Sequence, residues 1–254
     1  MKKIHILALL LMVSHSVLAW GVTGHRVIGE VAESHLSEKA KLKVAEILGD
    51  MTLAEVSTWM DDIKSDHNYD SLKVWHYTTI PDGKTYLDVK PNAKGDVVQG
   101  IRSMVAGLKS GNLSENQERE YLRILVHLVG DVHQPLHVGN GKDRGGNDIK
   151  VSWFWKSSNL HRVWDSGMID RKQYSYTELT NLVNHPQVNE IKDWQATRIE
   201  DWANECLIFR DGIYDLPSDK KISFEYMYAH WETVKKQLLK GGVRLAGILN
   251  EIYG

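Results

Sequence analysis

The sequence predicts a mainly α-helical fold, a single all-helical domain carrying at most a short β-hairpin. Three observations predict it. Apolar residues recur at three- and four-residue intervals through most of the chain. Only one stretch, Asp148 to Trp155, alternates with the period of a strand. No Pro/Gly/Ser-rich linker, internal repeat or low-complexity tract divides residues 20–254, so one domain accounts for them.

In chain order, the first nineteen residues stand apart. Lys2 and Lys3 precede the apolar run Ile4 to Val13, and the small or apolar Val17 and Ala19 close the segment. That is the pattern of a secretory signal peptide, too short and too weakly flanked to span a membrane. Its removal makes Trp20 the first residue of a secreted or periplasmic chain with no membrane anchor. Helices are then expected over 22–36, where Val22, Val27, Ile28, Val31 and Leu36 are apolar, and over 38–48, before Gly49. Thr52, with Glu55 three residues on, opens a helix over 53–63 as a capping box. Further helices are expected at 95–110, 117–134, 195–211 and 223–250. Pro135 disfavours helix in the residue before it and stops the fifth helix near Gln134. After the Gly145-Gly146 turn, Ile149, Val151, Trp153 and Trp155 alternate as one face of a strand, a pattern more typical of core than of a binding surface.

Composition narrows the chemistry. The formal net charge is −2, and signal cleavage removes two of the lysines, so there is no broad basic surface of the kind that binds duplex DNA. Any affinity for nucleic acid must be concentrated at a site. Cys206 is the only cysteine, so an exported chain must rest on its core or on bound metal rather than on an internal disulfide. Twelve histidines beside one cysteine point to metal held by nitrogen and oxygen.

The candidate ligands fall into local groups. His127 and Asp131 are four residues apart, on one face of the expected fifth helix. His161 and Asp165 repeat that offset at the start of a short helix. His137 follows the rigid Gln134-Pro135-Leu136 turn. Trp59-Met60-Asp61-Asp62 and Trp75-His76-Tyr77 each set a ligand type beside a large aromatic side chain. Taken singly, a histidine on a helix or an i, i+4 His/Asp pair is more often structural than metal-binding. Together they favour zinc, which takes imidazole and carboxylate and is redox-inert, over calcium or magnesium, which call for more oxygen.

Several segments resemble one family. They are Trp20-Gly21-Val22-Thr23-Gly24-His25, Trp59-Met60-Asp61, Trp75-His76-Tyr77, His127 through His137, Gly145-Gly146-Asn147 and Asn159 through Asp165. These are similar to the S-one/P-one nucleases, single-strand-specific nucleases and 3′-nucleotidases with three zincs. A C-terminal stretch, Gly241 to Ala246, looks like the family's last helix. The resemblance implies the helical scaffold shared by zinc-dependent phospholipase C and single-strand nucleases. It implies a first zinc on Asp61, His76, His127 and Asp131, and a second on His137, His161 and Asp165. A third would take the terminal amine and carbonyl of Trp20, the His25 ring and the shared Asp131. Asp62 competes with Asp61, and the Trp-x-Asp spacing of the family favours Asp61.

By the same resemblance Lys64 and Asn147 contact the phosphate and act in catalysis with Asp61, although a solvated helix lysine is an equal reading of Lys64. Tyr77 matches an aromatic base-binding position, and His133 is a supporting residue. The implied activity is endonucleolytic hydrolysis of single-stranded DNA and RNA to 5′-phosphate products, together with 3′-nucleotidase activity, by a monomer whose partners are single-stranded nucleic acid and 3′-nucleotides. Two zincs would supply hydroxide and the third would neutralise the leaving 3′ oxygen. Single-strand preference would follow from base stacking on aromatic faces. A three-zinc phospholipase C is the closest alternative, but its last ligand is typically Glu where Asp165 stands here, and its N-terminal Trp and His lie farther apart. A non-catalytic zinc-binding secreted protein would keep the ligands and turn over no phosphate ester.

Fungal and plant members of the family carry disulfides that this chain cannot form. Because zinc binds only the folded site, chelation is expected to lower the melting temperature substantially; a thermal scan with and without a chelator checks this, and superimposable curves would refute it.

Overall fold

The computed structural model describes residues 20–90 and 92–254. The segment read from the sequence as a signal peptide, 1–19, lies outside the described residues. The fold is mainly α-helical, as expected, with few and short strands.

Helix α1 (Val22–Ser34) and the thirty-residue α13 (Phe224–Tyr253) form the central pair. Their contact is close because Gly242 has no side chain where the two helices meet: a Cβ there would lie 2.5 Å from Val31, while Gly29 gives the same close approach to the Leu53 backbone, 2.6 Å from where its Cβ would stand. Val27, Ile28 and Val31 of α1 and Val234, Leu238, Val243 and Leu245 of α13 have no exposed surface, so the apolar stripe read from the sequence is the core. Helix α2 (Glu38–Leu48) packs on α13, capped by Ser37. Helices α5 (Val97–Ser110) and α6 (Glu115–Val132) form an antiparallel pair against that centre. Both begin at capping side chains, Asp96 and Ser114, and α5 ends at the left-handed Gly111.

The expected helix over 53–63 is two short pieces, α3 (Leu53–Val56) and α4 (Trp59–Asp62). The Thr52/Glu55 capping box starts it as predicted, but the chain breaks at Ser57-Thr58, where the Ser57 hydroxyl turns back to the Ala54 carbonyl at 2.7 Å. The break leaves the Ser57 carbonyl free for a partner on α6. A 3-10 run then spans His67–His76 and was not anticipated, since its short repeat lacks helical periodicity.

The expected helix over 195–211 is α11 (Ile199–Leu207) and the start of α12 (Arg210–Tyr214); α10 (Val188–Gln195) comes before it, set apart where the Thr197 hydroxyl bonds the Trp194 carbonyl. Before these come α7 (Leu160–Arg162), a π turn over Val163–Gly167, α8 (Met168–Lys172) and α9 (Tyr176–Val183). Helices α9 and α10 were missed although both carry capping boxes, Ser175/Glu178 and Gln187/Glu190.

Two small sheets complete the fold. Strand β1 (Thr78–Thr79) pairs in parallel with β2 (Val138–Gly139), joining the segments that follow His76 and His137. Strand β3 (Lys150–Trp153) pairs antiparallel with β4 (Lys156–Asn159) and in parallel with β5 (Lys221–Ile222). The hairpin was expected, but the alternation stops at Trp153. Phe154 and Trp155 form the turn, with φ of 45° and 64°, and Trp155 is 78% exposed instead of continuing a buried face.

Candidate metal centre

The site is assembled from the ends and interruptions of these elements. Helix α6 supplies His127 and Asp131 on one face, both without exposed surface. Asp131 is the hub. Its Oδ1 lies 3.4 Å from His25 Nε2 and 3.7 Å from His137 Nδ1; its Oδ2 lies 2.9 Å from His76 Nδ1 and 3.4 Å from His127 Nε2. Asp61 approaches His127 Nε2 at 3.7 Å. On the other side, Asp165 stands 3.3 Å from His161 Nε2 and 3.7 Å from His137 Nε2. The His161/Asp165 pair is carried by α7 and the π turn, a helical irregularity common at functional sites.

Backbone carbonyls set the imidazoles. Nδ1–H of His127 donates to Ser57 at 2.7 Å, that of His137 to His76 at 2.5 Å and that of His161 to Gly145 at 2.7 Å. Each bond leaves the Nε2 lone pair pointing into the cluster. His76 instead turns Nδ1 inward, 3.2 Å from His127 Nε2. His25 stacks on His127, with ring centroids 4.0 Å apart. His25 Nε2, His137 Nε2, His161 Nε2 and Asp131 Oδ1 are buried with no hydrogen-bond partner. Orphaned polar atoms of this kind are costly in an interior, and here they converge.

Three groups have ligand atoms close enough to share an ion: His25, His127 and Asp131; Asp61, His76 and His127; His137, His161 and Asp165. Nitrogen-rich, carboxylate-containing and buried, they fit a divalent transition metal. Trp20 is fully buried beside them, and the Gly21 N–H donates to the Asp165 carbonyl at 2.7 Å. A cavity of about 580 Å³ opens over His76, His137 and His161 and is lined also by Lys64, Tyr77 and Asn147.

Electrostatics agree with metal-competent groups. Burial lowers His25 to about 4, and it also lowers His76, His137 and His161, so these rings are neutral near pH 7. Burial works against ionisation of Asp131, but the surrounding histidines, His127 first, hold it well below the usual carboxylate range. Burial also works against charge on His127, yet Asp131 raises it. Asp165 is different: burial drives it up to about 8 because its cationic neighbours are too few.

Residues 20–254 match the family model described as S1/P1 Nuclease. The chain belongs to that family. It is similar to Endonuclease 2 of Arabidopsis thaliana, with 29% identity covering 100% of this chain and 99% of the relative. Endonuclease 4 of the same plant is 30% identical, covering 94% and 91%. Nuclease P1 of Penicillium citrinum is 26% identical, covering 92% and 98%. The S1/P1 family is metal-dependent, and this member is a phosphodiester-hydrolysing enzyme.

Of the residues singled out in the sequence, the structure gathers His25, Asp61, His76, His127, Asp131, His137, His161 and Asp165 into one cluster, and Trp20 is buried next to Gly21, whose N–H donates to the Asp165 carbonyl. Asp61, not Asp62, faces inward; Asp62 is exposed, 3.4 Å from the Thr58 hydroxyl. Lys64 lies 2.5 Å from Asp61 and Tyr77 is 45% exposed at the cavity. Asn147 lines the cavity too, but its amide donates to the Arg144 carbonyl at 2.9 Å, which ties it into the loop. His133 points away, donating to Val129 and accepting from Arg244 at 3.0 Å. Trp153, Phe154 and Trp155 do not line the cavity.

Sequence reasoning missed two supports. Gln134, within the recognised motif, donates to Asp165 Oδ1 at 2.5 Å and accepts from the Leu136 N–H at 2.5 Å, linking two arms of the cluster. Gly130, between His127 and Asp131, leaves room for the His25 ring, which a Cβ would meet at 2.6 Å.

Gly130→Ala is therefore expected to displace His25 and cost about 1–3 kcal/mol from overpacking. Metal analysis should find a reduced metal content in a protein that still folds; full content would contradict the close approach. Asp165 binds a proton in the folded state between its unfolded value of 3.8 and about 8, so in metal-free protein its contribution to stability falls as pH rises across that window. Asp165→Asn should then melt above the wild type at pH 8 in chelator, with the gap closing towards pH 4, and below it when metal is supplied. A lower melting point in both conditions would refute the raised value.

Proposed function

We propose that this enzyme hydrolyses single-stranded DNA and RNA endonucleolytically, leaves 5′-phosphate ends, and removes the phosphate from 3′-nucleotides, with three zinc ions as its resident metals. The observation that carries this reading is the buried convergence of eight histidine and aspartate side chains beneath a cavity edged by a lysine and an exposed tyrosine. The first ion would take Asp61, His76, His127 and Asp131, and the second His137, His161 and Asp165. The third would take His25, Asp131 and the terminal amine and carbonyl of Trp20. Ions held there supply Lewis acidity towards phosphoryl oxygens and bring the pKa of water towards neutrality.

The chain's own residues supply the rest. Lys64, steered by its ion pair with Asp61, presents an ammonium to the charge that grows on phosphorus-bound oxygens. Asn147 fixes the cavity loop through Arg144 and lends its remaining polar atoms to the phosphate. Tyr77 offers a ring on which a base stacks, which an unpaired strand supplies at little cost and a duplex only by unstacking. Buried Gln134 holds Asp165 in place and keeps its acceptor oxygen occupied. The 5′-phosphate product and 3′-nucleotidase activity follow the family.

A terminal amine is a good metal ligand and an amide nitrogen a poor one, so removal of residues 1–19 would complete the site. We take the mature enzyme, residues 20–254, to be a secreted or periplasmic monomer. No helix among the described residues is long and apolar enough to cross a membrane.

Protein beginning at Trp20 should contain about three zincs per chain and cleave single-stranded DNA to 5′-phosphate products. Protein with one extra residue before Trp20 should lose the third ion and most activity; equal activity would remove Trp20 from the site. Lys64→Ala should lower kcat by about 10²–10³ with zinc content retained; an unchanged kcat on single-stranded DNA would make Lys64 an ordinary surface lysine.

A further inference from the structure

The cavity over the cluster has an uneven charge. Three cationic side chains line it, Lys64, Lys73 and Arg144, and no carboxylate does, although the whole chain carries a net charge of −2. Lys64 belongs with the reacting phosphate. Lys73 and Arg144 have no part in the proposed chemistry, and they sit on the two chain segments that β1 and β2 sew together. Lys73 precedes His76 by three residues, and Arg144 precedes Gly145, whose carbonyl holds the His161 ring.

Each is held by a neighbour that water can reach. Lys73 Nζ lies 2.6 Å from Asp70, with the two side chains 48% and 50% exposed. Arg144 Nη2 lies 2.5 Å from Asp148, at 73% and 49%. Surface pairs of this kind are weak and exchange readily for another anion, while keeping the long side chain aimed until one arrives. Arg144 is also kept at a backbone position that disfavours it. Its φ is 53°, where turn chemistry would select Gly, Asn or Asp. Strain retained beside a site is an indication of function rather than of packing, and the exposed side chain packs against no core.

We propose that Lys73 and Arg144, lining the cavity from the two segments that β1 and β2 join, bind phosphates flanking the scissile one and so make the enzyme prefer longer strands to dinucleotides. The inference rests on the proposed nuclease reading and names how the same site holds its strand. It also answers the charge problem: a chain without a basic surface concentrates its phosphate contacts at the cavity rim, where they serve only a strand already threaded to the metals.

The test uses the zinc-loaded chain beginning at Trp20, with a thymidine dinucleotide, whose only phosphate is the scissile one, and a thymidine oligomer of about eight nucleotides. In the wild type, kcat/KM should rise with length. In Arg144→Ala and Lys73→Ala the gain should shrink, through KM more than kcat, and the slope of log KM against log salt concentration should fall by about 0.7 for each cation removed. Arg144→Lys should retain most of the slope, and Lys73→Glu should raise the oligomer's KM further than Lys73→Ala. Variants that keep both the length gain and the salt slope would overturn the proposal, as would equal losses on dinucleotide and oligomer at an unchanged melting temperature. A wild type that cleaves oligomers without any gain over dinucleotides would overturn this inference alone, whereas one that cleaves neither would overturn the nuclease reading beneath it.

Discussion

The structure depends on one buried anion. Asp131 has no exposed surface, and an isolated carboxylate in such a place would cost several kcal/mol in desolvation. Four imidazoles from four different parts of the chain meet it, from α1, from the end of the 3-10 run, from α6 and from the turn after α6. The fold can be read as the set of connections that bring those rings together. The α1/α13 pair puts His25 under α6, the parallel β1/β2 bridge holds His76 beside His137, and Gly130 clears the space in which His25 lies against His127.

Interruptions of regular structure are what orient the site. A helix through residues 53–63 would have used the Ser57 carbonyl internally; broken, it offers that carbonyl to His127. The end of the 3-10 run offers the His76 carbonyl to His137, and the left-handed Gly145 offers its own to His161. Gly145 permits this only because it lacks a side chain, since a Cβ there would run into the Leu136 carbonyl. These bonds fix the orientation of each ring with Nε2 inward, and burial keeps His137 and His161 neutral there. The cluster is thus prepared for ions before any arrive, at the expense of several buried polar atoms left unsatisfied.

The two halves of the cluster differ in their charge balance. Asp131 is over-compensated by histidines and stays ionised, whereas Asp165 has His161 and the Gln134 amide as its main counterweights and is pushed up to about 8 by burial. A divalent ion at Asp165 would supply the missing positive charge, so the metal-free fold is weakest where a metal would do most. This fits a chain whose only cysteine, Cys206, is buried against the Val132 carbonyl and cross-links nothing.

Much of this was legible in the chain itself. Helical periodicity located α1, α2, α5, α6 and α13 because each buries a broad apolar stripe, and residue types with helical offsets picked out His127/Asp131 and His161/Asp165. The motifs Trp20 to His25, Trp59 to Asp61, Trp75 to Tyr77, His127 to His137 and Asn159 to Asp165 between them singled out every histidine and aspartate that the structure gathers. Other features were not legible, because they are set by partners distant in sequence. Trp155 was read into a strand, but the hairpin closes one residue after Trp153 and turns it to solvent. Asp62 is as good a ligand as Asp61 by type, and only the direction of α4 excludes it. Asn147 looks free in sequence, yet its amide is spent on Arg144. Sequence by itself determined the fold class, the family and the inventory of reactive groups, because these follow from side-chain chemistry and local spacing. Tertiary structure alone decided which atom of each ring faces inward, which carboxylate stays charged and which cations border the cavity, because each depends on carbonyls, charges and burial contributed by segments tens of residues away.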